Sequence, residues 1–259
     1  MTANTWLAKL SAVILASLFL GCAAQEIELS AAEYLSLGRD YMKEDDYRRA
    51  IPAFESAVLS SNTPEDARLA QFELSNAFFL RAENSWFTDE EGYLNAIAAY
   101  ETYYDLYPND RNERLVLYRL AYSYSLLSFP PRNDQSFTRS SLKYLNEYKR
   151  KFPRDNGEKN YEGVDSLLKR MTDKLAEHEY EVAKFYMRVK KAESAVQRLL
   201  YLLRSYPGSS FEQSALVMLT EITYKTPKLK SASKSYFDEL SARFPDNEEI
   251  PILKKRYGW

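Results

Sequence analysis

Residues 31–64 read AAEYLSLGRDYMKEDDYRRAIPAFESAVLSSNTP, and this stretch decides the fold of the chain. It places two small residues, Gly38 and Ala50, where two antiparallel helices cross closely, and Phe54 fills the space beside them. Pro64 ends the unit because proline cannot continue a helix and instead starts the next one. The stretch therefore predicts a closely packed helix pair that is followed by another helix.

The length of 34 residues and the spacing of aromatic and small side chains in this unit resemble the tetratricopeptide repeat. The matching positions are Tyr34, Leu37, Gly38, Tyr41, Tyr47, Ala50, Phe54, Ala57 and Pro64. The same ending recurs as an aromatic residue followed by proline at Tyr107-Pro108, Phe152-Pro153, Tyr206-Pro207 and Phe244-Pro245. Glycine is scarce, with 7 residues, which also favours helices. We therefore predict an all-α solenoid of about five helix-turn-helix repeats in a curved superhelix.

Three segments depart from the regular period. Residues 82–92, with Trp86 and Phe87, and residues 128–135, with Phe129, lengthen the turns within repeats two and three. Such insertions are tolerated surface loops or lie on a binding face, and their apolar side chains favour a contact role. A long helix, about Tyr161 to Met187, has an apolar face at Val164, Leu167, Leu168, Met171, Leu175, His178, Val182 and Phe185. It divides the repeats into an N-terminal group, 30–153, and a C-terminal group, 154–259, that includes the long helix.

The N-terminus has the pattern of an export signal. Lys9 precedes an uncharged stretch that ends Phe19-Leu20-Gly21-Cys22. This ending resembles the bacterial lipobox, which implies a signal peptide over 1–21, lipid acylation of Cys22 and a tether over 22–29. The alternative, a short transmembrane anchor, is disfavoured because about 11 apolar residues cannot span a bilayer that needs about 20. Ala23, in place of aspartate, points by resemblance to the outer membrane.

Composition excludes several classes of function. The net charge is −2, so nothing indicates a nucleic-acid partner. Cys22 is the one cysteine and is assigned to the lipid, while His178 is the one histidine and lies among apolar positions as a packed or hydrogen-bonded residue. No glycine-rich phosphate loop is present. We therefore expect no enzymatic activity, no metal site and no cofactor besides the covalent lipid.

The segment AEHEYEVAKFY at 176–186, followed by Ala195-Val196-Gln197-Arg198 and Leu203-Arg204-Ser205-Tyr206-Pro207, resembles the BamD family. Members are lipoprotein subunits of the β-barrel assembly machinery of outer membranes. The resemblance extends over the mature chain and includes a D-Q element, here Asp134-Gln135. The insertion at Trp86-Phe87 and the ending at 254–259 depart from the pattern, so an accessory lipoprotein partner is not assumed.

The resemblance implies a function at the periplasmic face of the outer membrane. The A helices of the N-terminal repeats would form a groove for the C-terminal targeting segment of unfolded outer-membrane proteins, which ends in an aromatic residue and a free carboxylate. Arg39 or Lys43 would bind the carboxylate, and Phe79 or Tyr122 would stack on the aromatic ring. The predicted groove residues are Arg39, Met42, Lys43, Asn76, Phe79 and Tyr122. Ordinary packing and solvated charge remain the alternative explanation for each of them.

The C-terminal repeats would bind a BamA-like barrel subunit through its POTRA domains, with Lys190, Lys191 and Arg198 at the interface. Two other functions stay open. One is a different cell-envelope scaffold lipoprotein with tetratricopeptide repeats. The other is a nutrient-binding lipoprotein that captures glycans, although most tyrosines here lie at repeat-core positions instead of on a surface platform.

Overall fold

The computed structural model describes residues 29–153 and 163–259. In these ranges the chain forms eleven α-helices and one 3-10 helix, and no strand. The predicted signal peptide, Cys22 and the predicted start of the long helix at Tyr161 lie outside the described residues. No helix in the described ranges has the length and apolar character to cross a membrane. The all-α prediction is confirmed.

The helices follow one another with short connections. Their bounds are α1 Ala31–Lys43, α2 Tyr47–Leu59, α3 Pro64–Glu83, α4 Glu90–Leu106, α5 Glu113–Leu126, α6 Ser136–Lys151, α7 Val164–Arg188, α8 Ala192–Ser205, α9 Glu212–Lys225, α10 Lys230–Arg243 and α11 Glu249–Tyr257. The 3-10 helix, Pro227–Leu229, lies between α9 and α10.

The first ten helices form five pairs, and α11 packs against α10 at the end of the series. In each pair we call the first helix A and the second B. Because the partners pack together and are joined by short turns, they are antiparallel. All turns from A to B therefore lie along one edge of the solenoid, which we call the A–B edge. It consists of residues 44–46, 84–89, 127–135, 189–191 and 226–229.

The A helices lie on the inner side of the curve. Within the described chain, the A helices α1 and α3 contact each other, as do α5 and α7, whereas B helices of neighbouring repeats make no comparable contact. A stack whose A helices are closer together than its B helices must bend towards the A helices. The structure thus forms a curved solenoid with a concave A face.

The first repeat confirms the close crossing that its sequence predicts. Ala50 and Phe54 are completely buried. A Cβ atom added at Gly38 would lie 2.5 Å from Cε1 of Phe54, closer than real Cβ contacts. Glycine is required there because the phenyl ring of α2 occupies the space in which any side chain of α1 would stand.

The aromatic-proline pairs end four B helices in the same way. Tyr107, Phe152, Tyr206 and Phe244 are the C-cap residues, with φ between −136° and −124° and ψ between 57° and 68°. A residue before proline is sterically excluded from the helical region, so the helix must stop there. The repeated ending is therefore a local signal that fixes where each B helix stops.

The long helix α7 differs from the sequence prediction in its role. It is itself the A helix of repeat four, because it packs along α8 as well as against α6. Its first half contributes Val164, Leu167 and Met171 to the core of repeats two and three. Its second half contributes Leu175 and Ala176, among others, to the core of repeats four and five. One continuous helix thus belongs to both cores, while the proposed domain boundary at 153/154 stays a prediction.

The predicted apolar face of α7 is not buried in its last turns. His178 and Val182 are half-buried and Phe185 is 50% exposed. Together with Pro131 and Arg132 they line a surface pocket of about 270 Å³. The buried stripe shifts to Glu179 and Ala183, because α8 covers a different side of the helix from the side that α6 covers.

Candidate functional site

The two predicted cations of the groove, Arg39 and Lys43, are already paired within the chain. Arg39 forms an ion pair with Glu73 of α3 at 2.9 Å, and Lys43 forms one with Asp40 at 2.8 Å. Met42 is half-buried and packs against the core of repeat one. A client carboxylate would therefore compete with Glu73 and Asp40 for these two side chains.

The other predicted groove residues meet at the junction of α3, α4 and α5. We define the arginine–aromatic cluster as Asn76, Phe79, Tyr100, Arg119 and Tyr122. The Tyr100 hydroxyl donates to Oδ1 of Asn76 at 2.7 Å. Nη1 of Arg119 donates to the Tyr100 hydroxyl at 2.7 Å and also to Oδ1 of Asn76. The guanidinium carbon of Arg119 lies 4.6 Å from the centroid of the Phe79 ring.

Two of the predicted residues do not form an open groove surface. Asn76 is 9% exposed and Phe79 is 4% exposed. The reason is that α4 packs over this side of α3, where the rings of Tyr93 and Tyr100 contact Phe79. Tyr122 stays half-buried at the edge of the cluster, with its ring centroid 6.2 Å from that of Phe79. Phe79 therefore supports the site from beneath and does not offer a free face for stacking.

Arg119 is the functional candidate that the sequence analysis missed. Its side chain is only partly exposed, and no carboxylate of the described residues forms an ion pair with it. A charged group held in a partly desolvated site without a counter-ion interacts strongly with an incoming anion. The spacing of Arg119 and Tyr122, three residues apart on one helix, is the sequence signal that places them on the same face.

The charge of the arginine–aromatic cluster comes from Arg119 alone. Burial raises the pKa of the Tyr100 hydroxyl above its ordinary value, and burial likewise raises the pKa of the adjacent Tyr93 to about 12. Both hydroxyls are therefore protonated and neutral at physiological pH. The cluster presents one positive charge beside aromatic rings, an arrangement suited to a ligand with a carboxylate and a ring.

The predicted partner residues lie on α8 and the turn before it. Nη1 of Arg198 lies 3.1 Å from Oε2 of Glu179, a carboxylate whose side chain is 7% exposed, whereas the Arg198 side chain is 44% exposed. A buried carboxylate needs a partner of opposite charge, so Arg198 supports the packing of α7 on α8. It also lines a surface pocket of about 540 Å³ with Tyr201 and Arg204.

Lys190 and Lys191 lie in a different pocket from Arg198. They line a shallow surface pocket of about 500 Å³ together with Lys228 from the turn before α10. The structure therefore places two basic features on the C-terminal repeats, one along α8 and one on the A–B edge. Whether either binds a partner stays a prediction.

The D-Q element organises the long turn of repeat three. Gln135 is 1% exposed; its Nε2 donates to the carbonyl of Pro130 at 2.8 Å, and its Oε1 accepts from Thr138 at 2.8 Å. The turn is also tied to α7, because Nδ1 of His178 donates to the carbonyl of Pro131 at 2.6 Å. An ion pair between Arg132 and Glu181 at 2.9 Å adds a second tie. The insertion is thus a fixed part of the surface.

No group of three or more His, Cys, Asp or Glu side chains in the described ranges is arranged to hold a metal ion. The hydrogen bond of His178 to Pro131 gives this histidine a structural role. The prediction that the chain has no enzymatic activity stays a prediction.

Comparisons with known proteins place these features in context. The chain is 25% identical over 248 residues to a Rickettsia prowazekii (strain Madrid E) protein named outer membrane protein assembly factor BamD, with 92% of each chain covered. Among solved structures, MamA has a TM-score of 0.34 at 13% identity and covers 88% of this chain and 96% of its own. PilW, a type IV pilus biogenesis factor, has a TM-score of 0.27 at 14% identity and covers 86% and 97%. Similarity at these TM-scores carries no argument about function.

The model of one protein family matches most of this chain. The model of the YfiO family, described as outer membrane lipoprotein, matches residues 28–240. The match includes all five helix pairs apart from the last residues of α10. Because it spans well over half of the chain, the chain belongs to the YfiO family of outer membrane lipoproteins.

Proposed function

We propose that the protein is a lipid-anchored periplasmic scaffold of the β-barrel assembly complex. In this function the concave face of the N-terminal repeats receives the targeting segment of an unfolded outer-membrane protein, and the C-terminal repeats bind a periplasmic POTRA domain of a BamA-like barrel subunit. The family and the name of the Rickettsia relative support a role in outer membrane protein assembly. Cys22 would hold the solenoid beside the membrane in which the barrels are inserted.

The observation that carries client recognition is the partly exposed side chain of Arg119. It lies among aromatic rings on the inner A helices and has no carboxylate partner in the described chain. A client that ends in an aromatic residue with a free carboxylate supplies the missing carboxylate, and its ring can pack beside the half-buried Tyr122. Arg119, in place of Arg39 or Lys43, is therefore our candidate for the carboxylate contact.

The replacement Arg119→Gln is expected to lower the affinity for such a client about 10- to 100-fold, because a hydrogen bond to a charged group contributes roughly 1.5–3 kcal/mol. The measurement is fluorescence anisotropy with a labelled peptide that ends in phenylalanine and a free carboxylate. The same peptide with an amidated C-terminus should bind the parent protein and the variant equally weakly.

Arg39→Gln is the matched control, because it removes a cation of the same type that already has Glu73 as its partner. Its effect on affinity should be small. Far-UV circular dichroism confirms that both variants keep their helices. If Arg39→Gln and Arg119→Gln lowered the affinity equally, Arg119 would not be the carboxylate contact. The same conclusion would follow if Arg119→Gln weakened binding of the amidated peptide as much as binding of the free carboxylate.

Arg198 provides the test of the partner surface. Reversal to glutamate in a Glu179→Gln background is expected to abolish co-purification with the barrel subunit, because it inverts the charge without creating repulsion against buried Glu179. Glu179→Gln alone should retain most of the complex. Pull-down from detergent-solubilised outer membranes measures the outcome.

The control for this experiment is Arg150→Glu, which reverses an exposed arginine on α6 whose one ion-pair partner among the described residues is its helical neighbour Glu147. It should leave the complex intact. If the Arg198→Glu/Glu179→Gln variant co-purified as much barrel subunit as the parent protein does, Arg198 would not belong to the interface.

A further inference from the structure

The turn between α3 and α4 presents two aromatic rings to solvent. Trp86 is 98% exposed and Phe87 is 85% exposed, values matched among the large apolar side chains of the described chain only by Leu59 at 87%. When a partner covers such side chains, the free energy falls by roughly 25 cal/mol for each Å² of apolar surface removed from water. Tryptophan is also the residue type that most often dominates binding energy at protein interfaces.

The base of this turn is fixed. Nδ2 of Asn84 donates to the hydroxyl of Tyr47 at 2.6 Å, which joins the turn to the start of α2. At the other end, Asp89 caps α4 by accepting from the N–H of Gly92 at 2.9 Å. The two rings therefore project from a rigid support, which lowers the entropic cost of placing them against a partner.

Four exposed carboxylates flank the turn that carries the rings. Glu83 precedes the turn, Glu90 and Glu91 follow it, and Asp45 is brought beside it because the Tyr47 hydroxyl contacts both Asp45 and Asn84. None of these four forms an ion pair among the residues that the structure describes. An apolar tip inside an acidic rim is complementary to an apolar pocket with basic edges.

A lipid surface fits this turn poorly. The carboxylates would face the phosphates of lipid headgroups, and like charges repel. The turn also lies on the A–B edge, whereas α1 starts at the opposite edge, and its 13 residues span about 20 Å at roughly 1.5 Å per residue. The predicted tether from Cys22 therefore joins the solenoid at the edge away from Trp86.

A second copy of the chain is the other possible occupant. The turn could reach the basic pocket at Lys190, Lys191 and Lys228, which lies on the same A–B edge in the C-terminal repeats. That pocket also contains Glu193, and its apolar members are only Ala192 and Pro227, so it offers little apolar surface to two aromatic rings. A separate protein partner with an apolar pocket fits the rings better.

We propose that residues 83–91 form a docking surface for a periplasmic protein subunit that presents an apolar pocket edged by lysine or arginine, with Trp86 and Phe87 as the inserted side chains. The partner is taken from the assembly complex, so this inference rests on the proposed function. It concerns a surface of the N-terminal repeats that is separate from the Arg198 interface.

The test is site-specific photo-crosslinking in cells that produce the full lipidated chain. A benzophenone amino acid replaces Trp86, and in a matched control it replaces Leu59, which is also highly exposed but lies at the opposite edge. We expect position 86 to crosslink to one protein subunit within a segment rich in lysine or arginine, and position 59 to give no such product. Neither replacement perturbs packing because both side chains are in solvent.

Charge complementarity is tested with Glu83→Lys/Glu90→Gln, which should lower the crosslink yield about tenfold because it replaces two of the four rim carboxylates, one of them with a cation. Glu55→Lys, on the exposed side of α2, should leave the yield unchanged. A crosslink to phospholipid or to a second copy, no crosslink at all, or a yield that ignores the charge change would overturn the proposal. Co-purification of the complex is measured in parallel, so an intact complex without the crosslink refutes this surface and leaves the proposed function standing.

Discussion

Replacing Cys22 by serine is expected to abolish attachment of the protein to the outer membrane and to leave its helical fold intact. In lipoproteins with a lipobox the cysteine sulfur carries the diacylglycerol, and serine offers no thiol for that bond. Each buried methylene contributes roughly 0.8 kcal/mol, and two acyl chains suffice for stable anchoring. Metabolic labelling with radioactive palmitate should mark the parent protein and leave the variant unlabelled.

A matched control tests whether the helical fold forms when neither the lipid nor the signal peptide is attached. Residues 23–259 are exported behind a signal peptide that is fully removed, so that no apolar leader remains on the chain. This protein should be found in the periplasmic fraction with the same far-UV circular dichroism as the lipidated form, because the described solenoid begins only at Ala31. Palmitate label on the serine variant would show that Cys22 is not the lipidated residue. An unfolded periplasmic form would show that the helical fold depends on the lipid anchor.

The repeat architecture was predictable because its signals are local. Gly38 faces the ring of Phe54, and proline after Tyr107 or Phe152 excludes the helical conformation of the residue before it. Each of these effects acts between neighbours in sequence or within one helix pair. A pattern of residues is therefore sufficient to reveal them.

The errors concern features that depend on which helices become neighbours across repeats. Phe79 was predicted to be accessible on an A helix, but α4 covers it. Phe185 continues the apolar face predicted for the long helix, but it is 50% exposed because α8 packs against a different side of α7. Arg119 escaped notice because an arginine in a helix is usually solvated, and only the structure shows that its neighbours provide hydrogen bonds without a carboxylate.

The continuous helix α7 leads to the prediction with the largest effect on stability. Ala176 is completely buried near the middle of this helix, where the residues of the N-terminal core end at Met171 and those of the C-terminal core begin at Leu175. Ala176→Pro removes a backbone hydrogen bond and forces the ring against the preceding turn. We expect the free energy of unfolding to fall by about 3 kcal/mol or more.

Ala192→Pro is the matched control, because it introduces the same residue at the first position of α8, where proline is well tolerated. Lys191 before it has a ψ of 67°, within the range seen at the natural aromatic-proline pairs. This variant should therefore unfold at nearly the same denaturant concentration as the parent protein.

Ala176→Pro should also separate the unfolding of the two cores. Trp259 packs against Phe237 at 4.8 Å between ring centroids, so its fluorescence reports on the C-terminal repeats, whereas Trp86 is already in solvent. In the parent protein, tryptophan fluorescence and far-UV circular dichroism should follow one transition, and in the variant the two midpoints should differ. If the two midpoints coincided in the variant, packing between α6 and α7 would couple the cores even when the helix is broken. If the free energy of unfolding fell no more than in Ala192→Pro, the continuity of α7 would not be needed for stability.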